Sequence, residues 1–314
     1  MVSVIIPAYK AEGTIKKAVL SALEQASVDE IIVVVDGLFD GTVEKLKQIV
    51  DQRLKVIIFE ENKGSQIARN AGLKYASSDY IIFLDSDDYF EGPLIAGLVN
   101  KLDERSFDLV LAPNCSISPN GQKKLFFLPE GITNFELLIG RILSTLAVGI
   151  QCILWKKEFL IQIGGWNENI NRNQDGELSI RALIRGGEMA LSSEGAGCSV
   201  QHAGERVSKR RSLVSFASQF EIYSMVNTHL MVGKLSDNQH MMLKAALNSF
   251  CINICIGMAE SAYFGKEYND WKNRIEWSYS HFFLLPPKKS VQALIFFIFG
   301  KQSFRVKKVL KRIS

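Results

Sequence analysis

Cysteine is scarce in this chain. Its 314 residues hold five, Cys115, Cys152, Cys198, Cys251 and Cys255, an odd number without any CxxC pair. That excludes a disulfide scaffold and a spacing-evident zinc site, and it fits a reducing compartment. Seven prolines and 23 glycines are too few for a collagen or a Pro/Gly-rich disordered chain. Long apolar runs are missing as well: Phe250–Met258 and Val291–Phe299 fall well short of the roughly 20 helical residues that cross a bilayer. Met1-Val-Ser-Val-Ile-Ile-Pro7 enters a strand-like segment without a basic leader or cleavage site, so no signal peptide is expected. Neither GxGxxG nor GxxxxGK[ST] occurs, which leaves dinucleotide and P-loop cradles without support. Acid is absent from residues 286–314, where eight lysines and arginines more than account for the formal net charge of +4.

What is present reads as a folded globular protein. Hydrophobic residues at 47% and charged ones at 22% suit a globular protein with a sizeable core, and the length suits one large domain plus an appendage. Val- and Ile-rich runs at Val2–Pro7, Glu30–Asp36, Leu54–Phe59 and Tyr80–Asp85 alternate with helical patterns at Glu12–Gln25, Thr42–Val50 and Lys63–Ala76. This alternation predicts an α/β fold with a mostly parallel sheet flanked by helices. Leu94–Arg105 reads as a further helix and Asp108–Pro113 as a further strand, and Ser118-Pro-Asn-Gly121 reads as a turn. From Phe135 to Gln201 helices mix with short strands. Strand signals then fade, and Leu213–Val232, Asn238–Phe264 and Trp271–Phe283 read as helices. The expected division is 1–211 for the α/β domain and 212–314 for a helical C-terminal region.

Ligands of an open parallel sheet bind beyond the carboxyl ends of its strands. There the chain carries Pro7-Ala-Tyr9, then Asp36-Gly-Leu-Phe-Asp-Gly-Thr42, then Asp85-Ser86-Asp87-Asp88. An aromatic ring, a carboxylate and a carboxylate cluster can stack a base, accept its N–H and hold a divalent cation on a diphosphate. Three carboxylates in four residues repel unless a cation or positive side chains neutralise them, and hard oxygen ligands suit Mg²⁺ or Mn²⁺. The alternative for this cluster is an acidic turn that caps the next helix.

Val2–Tyr9, the DG..DGT segment Asp36–Thr42, Asn62-Lys-Gly64 through Ala68-Arg-Asn-Ala-Gly72, and the DxD at Asp85–Asp87 together resemble the family 2 glycosyltransferases of GT-A fold. The resemblance covers roughly residues 2 to 205. It implies an inverting, metal-dependent enzyme that uses a nucleotide sugar. It further implies that Pro7 and Tyr9 line the base pocket, Asp36 contacts uracil, Arg69 borders the nucleotide, Asp85 and Ser86 lie beside ribose or metal, and Asp87 ligates Mn²⁺ or Mg²⁺. Gly164-Gly-Trp166 followed by Asn173-Gln-Asp-Gly-Glu-Leu178 is similar to the family's acceptor segment, which makes Asp175 the general base and Glu177 its substitute. A carboxylate there takes the proton of the attacking hydroxyl; an ordinary helix N-cap is the competing role for Asp175. His202 is implied as a third protein ligand to the metal. Arg206 and Lys209–Arg211 read equally as a loop over the diphosphate or a solvated basic turn, and Trp166 as a sugar platform or core. Trp155, Phe159, Cys251 and Cys255 read as core.

Departures from the family pattern are specific. Val35 precedes Asp36 where a second acid is common, Leu38-Phe39 replaces a small polar pair, and Gln174 stands where many members have Glu. No QxxRW run follows residue 175, which implies transfer of one sugar per encounter. The reading is a glycosyltransferase that moves one hexose or N-acetylhexosamine from a UDP-sugar to a glycan or lipid-linked saccharide acceptor in cell-surface polysaccharide biosynthesis. The alternatives are a catalytically impaired nucleotide-sugar or glycan binding module and a sugar-nucleotide nucleotidyltransferase, although the glycine-rich lysine loop of the latter is absent. The apolar block Val291–Phe299 among lysines suits either an anionic membrane surface or packing on the main domain with the lysines as a solvated face. The expected location is cytoplasmic, and on the first alternative peripheral on the inner face of the membrane. No nucleic-acid motif occurs and the phenylalanines are not interleaved with the basic residues, so no nucleic-acid partner is expected.

Overall fold

The computed structural model describes residues 1–103, 106–146, 148–201, 215–216, 218–261, 266–275 and 288–289. Two compact units divide the chain. One comprises Met1–Asn134, Ala147–Glu168 and Arg181–Gly204, the other Phe135–Leu146, Asn169–Ile180 and Glu205–Ser314. The second unit therefore draws two internal segments from the range that the sequence assigns to the α/β domain.

The first unit opens with β1 (Val2–Ala8), α1 (Ile15–Leu23), β2 (Val28–Asp36), α2 (Thr42–Lys47), β3 (Leu54–Phe59), α3 (Ser65–Tyr75) and β4 (Tyr80–Phe83). There follow β5 (Tyr89–Glu91), α4 (Leu94–Asn100), β6 (Leu109–Leu111), β7 (Asn114–Ile117) and β8 (Lys123–Phe126). In chain order there follow α5 (Asn134–Ile142), which past Asn134 belongs to the second unit, then β9 (Ile153–Lys156), α6 (Lys157–Gln162), α7 (Gln174–Ile184), whose residues up to Ile180 belong to the second unit, β10 (Met189–Leu191) and β11 (Ala196–Val200). Seven strands form one sheet in the order β10-β6-β9-β4-β1-β2-β3, and four form a second, β5-β11-β7-β8. In the large sheet only β9 runs against its neighbours β4 and β6. The fold class expected from the sequence is thus present.

Burial follows sheet position. Every residue of β1 is buried, as are Glu30–Asp36 of β2, because helices cover both faces of these central strands. The edge strand β3 instead alternates, with Val56 and Ile58 exposed. Fully burying each Ile or Val of β1 stabilises the fold by about 1.5–3 kcal/mol. Helix α3 approaches β1 so closely that a Cβ on Gly72 would lie 2.4 Å from Ile5 Cγ2. Only glycine permits that approach.

One buried carboxylate braces the opposite end of the sheet. Glu30, 3% exposed, accepts hydrogen bonds from Ser3 Oγ at 2.6 Å, Ser77 Oγ at 2.8 Å, the Ser77 amide at 2.5 Å and Lys55 Nζ at 2.6 Å. Burial alone would raise its pKa, but Lys55, Ser3 and Ser77 outweigh it and bring the carboxyl down to about 2.

Ser118–Gly121 makes the turn between β7 and β8, closed by Gly121 N donating to Ser118 O at 2.8 Å. Periodicity missed the four-stranded sheet because its strands have three to five residues, too few to show a pattern. The strand expected over Tyr80–Asp85 ends at Phe83, which leaves Asp85 in the loop. Trp155 and Phe159 are core.

In the second unit, α8 (Gln219–Val232), α9 (Asp237–Glu260) and α10 (Lys266–Lys272) are the C-terminal helices. Helix α9 starts with a capping box: Gln239 N donates to Ser236 Oγ, and Ser236 N donates to Gln239 Oε1. By length and composition α9 is apolar enough to cross a membrane, but 78% of its 18-residue apolar window is buried inside the protein, as in a core helix. The 9-residue run seen in the sequence was its most apolar part. Cys251 and Cys255 lie fully buried within α9, and burial pushes the Cys255 thiol up to about 12. Trp271 packs edge-on to Phe220, Tyr223 and Phe250, and the Arg274 guanidinium covers Phe220 at 4.9 Å. The helix expected to start at Trp271 instead begins at Lys266, and residues 276–283 lie outside the described residues.

Candidate active site

The carboxyl ends of β1, β2 and β4 carry the predicted residues. Pro7 is buried in β1 opposite Val34, and Tyr9 is 46% exposed just beyond the strand. Phe39, after β2, meets Tyr9 edge-on with ring centroids 5.5 Å apart, and Lys10 Nζ lies 5.3 Å from one ring and 5.7 Å from the other. The Phe39 ring lies over the backbone of Gly37, where a Cβ would come within 2.3 Å of it; the φ of +102° there also favours glycine. This aromatic pair with its lysine was not anticipated from the motif, in which Leu38-Phe39 counted only as a departure.

Asp36 is 2% exposed, and its carboxylate accepts the Lys63 amide at 2.6 Å and the Gly64 amide at 2.9 Å. It thereby anchors the loop that leads into α3, with its negative charge at the positive end of that helix. Asp40 is occupied structurally: it accepts Thr42 Oγ1 at 2.5 Å, the Thr42 amide and the Glu12 amide. Burial opposes ionisation of Asp40, and these hydrogen bonds overcome it and hold the carboxyl below its ordinary value.

The carboxylate cluster follows β4. Asp88 N donates to Asp85 O at 3.0 Å, closing a tight turn that runs into β5, so the segment caps no helix. Arg69, 6% exposed on α3, donates from Nη2 to Asp85 Oδ1 at 2.6 Å. Buried Asp88 accepts the Val200 amide at 2.9 Å, which ties the turn to β11. Ser86 is half-buried between them. Carboxylate oxygens of Asp85, Asp87 and Asp88 lie within 4.8 Å of one another. This all-oxygen donor set, with the Asp85 side chain 40% exposed, fits a hard cation such as Mg²⁺ or Mn²⁺.

Trp166 belongs to the core rather than to a sugar platform. It is 2% exposed, packs edge-on against Phe83 at 5.1 Å and lies 4.4 Å from the Arg69 guanidinium. Asn70 locks it in place: Asn70 Oδ1 accepts the Trp166 amide and Asn70 Nδ2 donates to the Trp166 carbonyl, each at 2.9 Å. The signal for this lock was Asn70 itself, next to Arg69 in the quoted motif.

Asp175 lies in the second unit. It is the second residue of α7, inside the first turn rather than at the cap, and its side chain is 44% exposed. Glu177, its substitute, is 3% exposed. Arg141 of α5, with its side chain only 8% exposed, stands with Nη2 3.6 Å from Asp175 Oδ2 and donates from Nε to Ser179 Oγ at 2.9 Å. Ser179 Oγ in turn donates to the Asp175 carbonyl at 2.8 Å. No periodicity or motif marked Arg141. His202, Arg206 and Lys209–Arg211 lie outside the described residues.

Residues 3–139 match the glycosyl transferase family 2. An uncharacterized glycosyltransferase of Haemophilus influenzae is 40% identical over 158 residues, 48% of this chain and 62% of that protein. The Escherichia coli UDP-Glc:alpha-D-GlcNAc-diphosphoundecaprenol beta-1,3-glucosyltransferase WfgD is 37% identical over 147 residues, 44% of this chain and 55% of that one. The chain thus matches between half and two thirds of these relatives' lengths. Among solved structures, S. aureus TarS 1-349 in complex with UDP-GlcNAc superposes with a TM-score of 0.73 over 99% of this chain and 91% of that chain, at 18% identity. That likeness shows a shared fold, of GT-A type. The family match thus lies in the N-terminal part of the chain, residues 3–139, where the nucleotide-site candidates Tyr9, Asp36 and Asp85–Asp88 also lie.

Proposed function

We propose that this protein is an inverting glycosyltransferase that moves a single sugar from a UDP-sugar to a hydroxyl of a glycan or lipid-linked saccharide, in bacterial cell-surface glycan biosynthesis. The observation that carries the reading is the convergence of Tyr9, Asp36 and the Asp85–Asp88 cluster at the carboxyl ends of adjacent strands, braced by buried Arg69. Relatives whose names state glucosyl transfer to a diphosphoundecaprenol-linked sugar support the substrate class. Tyr9 offers a ring to the base, and Asp36 and Pro7 line its pocket. Asp85, Ser86 and Asp87, with His202 as a further ligand, hold the ribose and Mn²⁺ or Mg²⁺. When bound, that ion supplies positive charge to the diphosphate.

In the reaction the acceptor hydroxyl oxygen forms a bond to the anomeric carbon while the bond from that carbon to the diphosphate oxygen breaks. The bond's electrons leave with UDP, and Asp175 takes the hydroxyl proton. The exposure of Asp175 against the burial of Glu177 favours Asp175 as the base. Residues 1–211 are proposed as the transferase domain and 212–314 as a helical region whose basic end rests on the cytoplasmic face of an anionic membrane; flotation on anionic liposomes should require residues 286–314. The nucleotide site is tested by calorimetric titration with UDP, GDP, CDP and dTDP, with Mn²⁺ and after chelation. Metal-dependent preference for UDP is expected, and no binding to any of the four would overturn the reading.

A further inference from the structure

A second group of metal-ligating side chains lies on the four-stranded sheet, apart from the site above. Cys115 of β7 and Cys198 of β11 stand opposite each other in parallel register, and both are fully buried. On the other side of β11, Glu91 of β5 brings Oε2 to 3.3 Å from Cys198 Sγ. The two sulfurs and a Glu91 oxygen all lie within 4.8 Å of one another.

These spacings have a chemical meaning. A tetrahedral Zn²⁺ with bonds of about 2.3 Å to sulfur and about 2.0 Å to oxygen separates a sulfur from an oxygen ligand by about 3.5 Å and two sulfurs by about 3.8 Å. The three atoms meet that geometry with movements of at most about 1 Å. Two thiolates with one carboxylate are also a softer, mixed donor set than the all-oxygen cluster at Asp85–Asp88.

We propose that Cys115, Cys198 and Glu91 form a site for a borderline-soft divalent cation, Zn²⁺, with three protein ligands and water as the fourth, distinct from the hard-cation cluster at Asp85–Asp88. Lys123 does not block it. Its ion pair is with Glu91 Oε1, whereas Oε2 faces the thiol, so the lysine holds the carboxylate from outside. Its charge also offsets the surplus negative charge of three anionic ligands around a +2 ion. The thiols are buried and the Glu91 side chain is 42% exposed, so the ion enters from the glutamate side, where water completes its shell. Strand β5 begins directly after Asp88, which is itself bonded to Val200 of β11. A bound ion would therefore staple β5, β11 and β7 beside the DxD turn. The competing account, two thiols packed with Ala196 and Ile117 in a small apolar cluster, binds no metal.

The test uses the full chain, reduced and stripped with chelator, then titrated with Co²⁺, whose thiolate complexes show a charge-transfer absorption that oxygen-only sites lack. One Co²⁺ per chain with that band is expected, displaced by Zn²⁺, lost in Cys115→Ser and Cys198→Ser, and retained in Asp87→Asn. Absence of the band from the unaltered chain overturns the proposal, as does a band that survives both cysteine substitutions. Should the cysteine variants not fold, Glu91→Gln decides: it keeps both thiols and should weaken Co²⁺ binding at least ~10-fold. Unchanged affinity in that variant overturns the site.

Discussion

Arg69 donates to Asp85 Oδ1 across 2.6 Å from a buried position on α3, and the face of its guanidinium rests 4.4 Å from the Trp166 ring. The first carboxylate of the DxD turn is thus oriented by a residue 16 positions upstream, which a tryptophan more than 90 positions downstream supports. The guanidinium is buried while the Asp85 side chain is 40% exposed. Water therefore competes less for the arginine than it would in an exposed ion pair, and the charge-assisted bond is worth correspondingly more.

Replacing Trp166 separates packing from positioning. Trp166→Ala should cost about 3–5 kcal/mol of stability through the cavity it leaves. Trp166→Phe keeps a ring over Arg69 and should lose less than half of that. Arg69→Lys, which removes the planar fork, should weaken UDP binding about 10-fold with little change in melting temperature. Calorimetry and thermal melts on the three variants check this. Full UDP affinity in Arg69→Lys would show that Asp85 needs no such brace.

Gly72→Ala tests the closeness of α3 to β1. The new methyl would fall 2.4 Å from Ile5 Cγ2, so the helix must shift, at about 1–3 kcal/mol. Pairing it with Ile5→Val should recover part of the loss. Additive melting-temperature changes in the double variant would contradict the contact.

Stability should fall in acid through Glu30. Its folded pKa of about 2 lies below the ordinary 4.5, so the group's contribution is fully present above 4.5 and is lost as pH falls through about 2. The contribution at neutral pH is on the order of 3 kcal/mol. Urea unfolding of the unaltered protein and of Glu30→Gln at pH 7, 5 and 3 measures it, and the difference between them should shrink as pH drops. A constant difference would remove Glu30 from the role.

Much of the fold was legible because β1, β2 and β3 are long enough for Val/Ile runs to stand out, and because α1 and α3 bury one stripe each. The short strands around Cys115 and Cys198 carried no period, so the sheet they form emerged only from pairing. At the site, Tyr9, Asp36 and Asp85–Asp87 were legible from their place after strands. The long-range partners were not, because Arg141 contacts Asp175 from 34 positions away, a distance no local pattern encodes. Trp166 was ambiguous for a similar reason: a ring beside a Gly-Gly turn suits a sugar or a core, and Arg69 and Phe83 decide for the core.

With Asp175 as the proposed base, Arg141→Ala should lower kcat about 10- to 100-fold, because it removes the contact at 3.6 Å that orients that carboxylate. Arg141→Lys should restore part of it. UDP affinity should not change. A kcat unaffected by Arg141→Ala would mean that the pair is structural only.

The most direct test of the central claim is Asp175→Asn, assayed for both UDP binding and sugar transfer to a lipid-linked acceptor. The side chain keeps its shape and loses its capacity to take a proton. The account predicts unchanged UDP affinity with transfer reduced at least ~100-fold; transfer at the unaltered rate would contradict it.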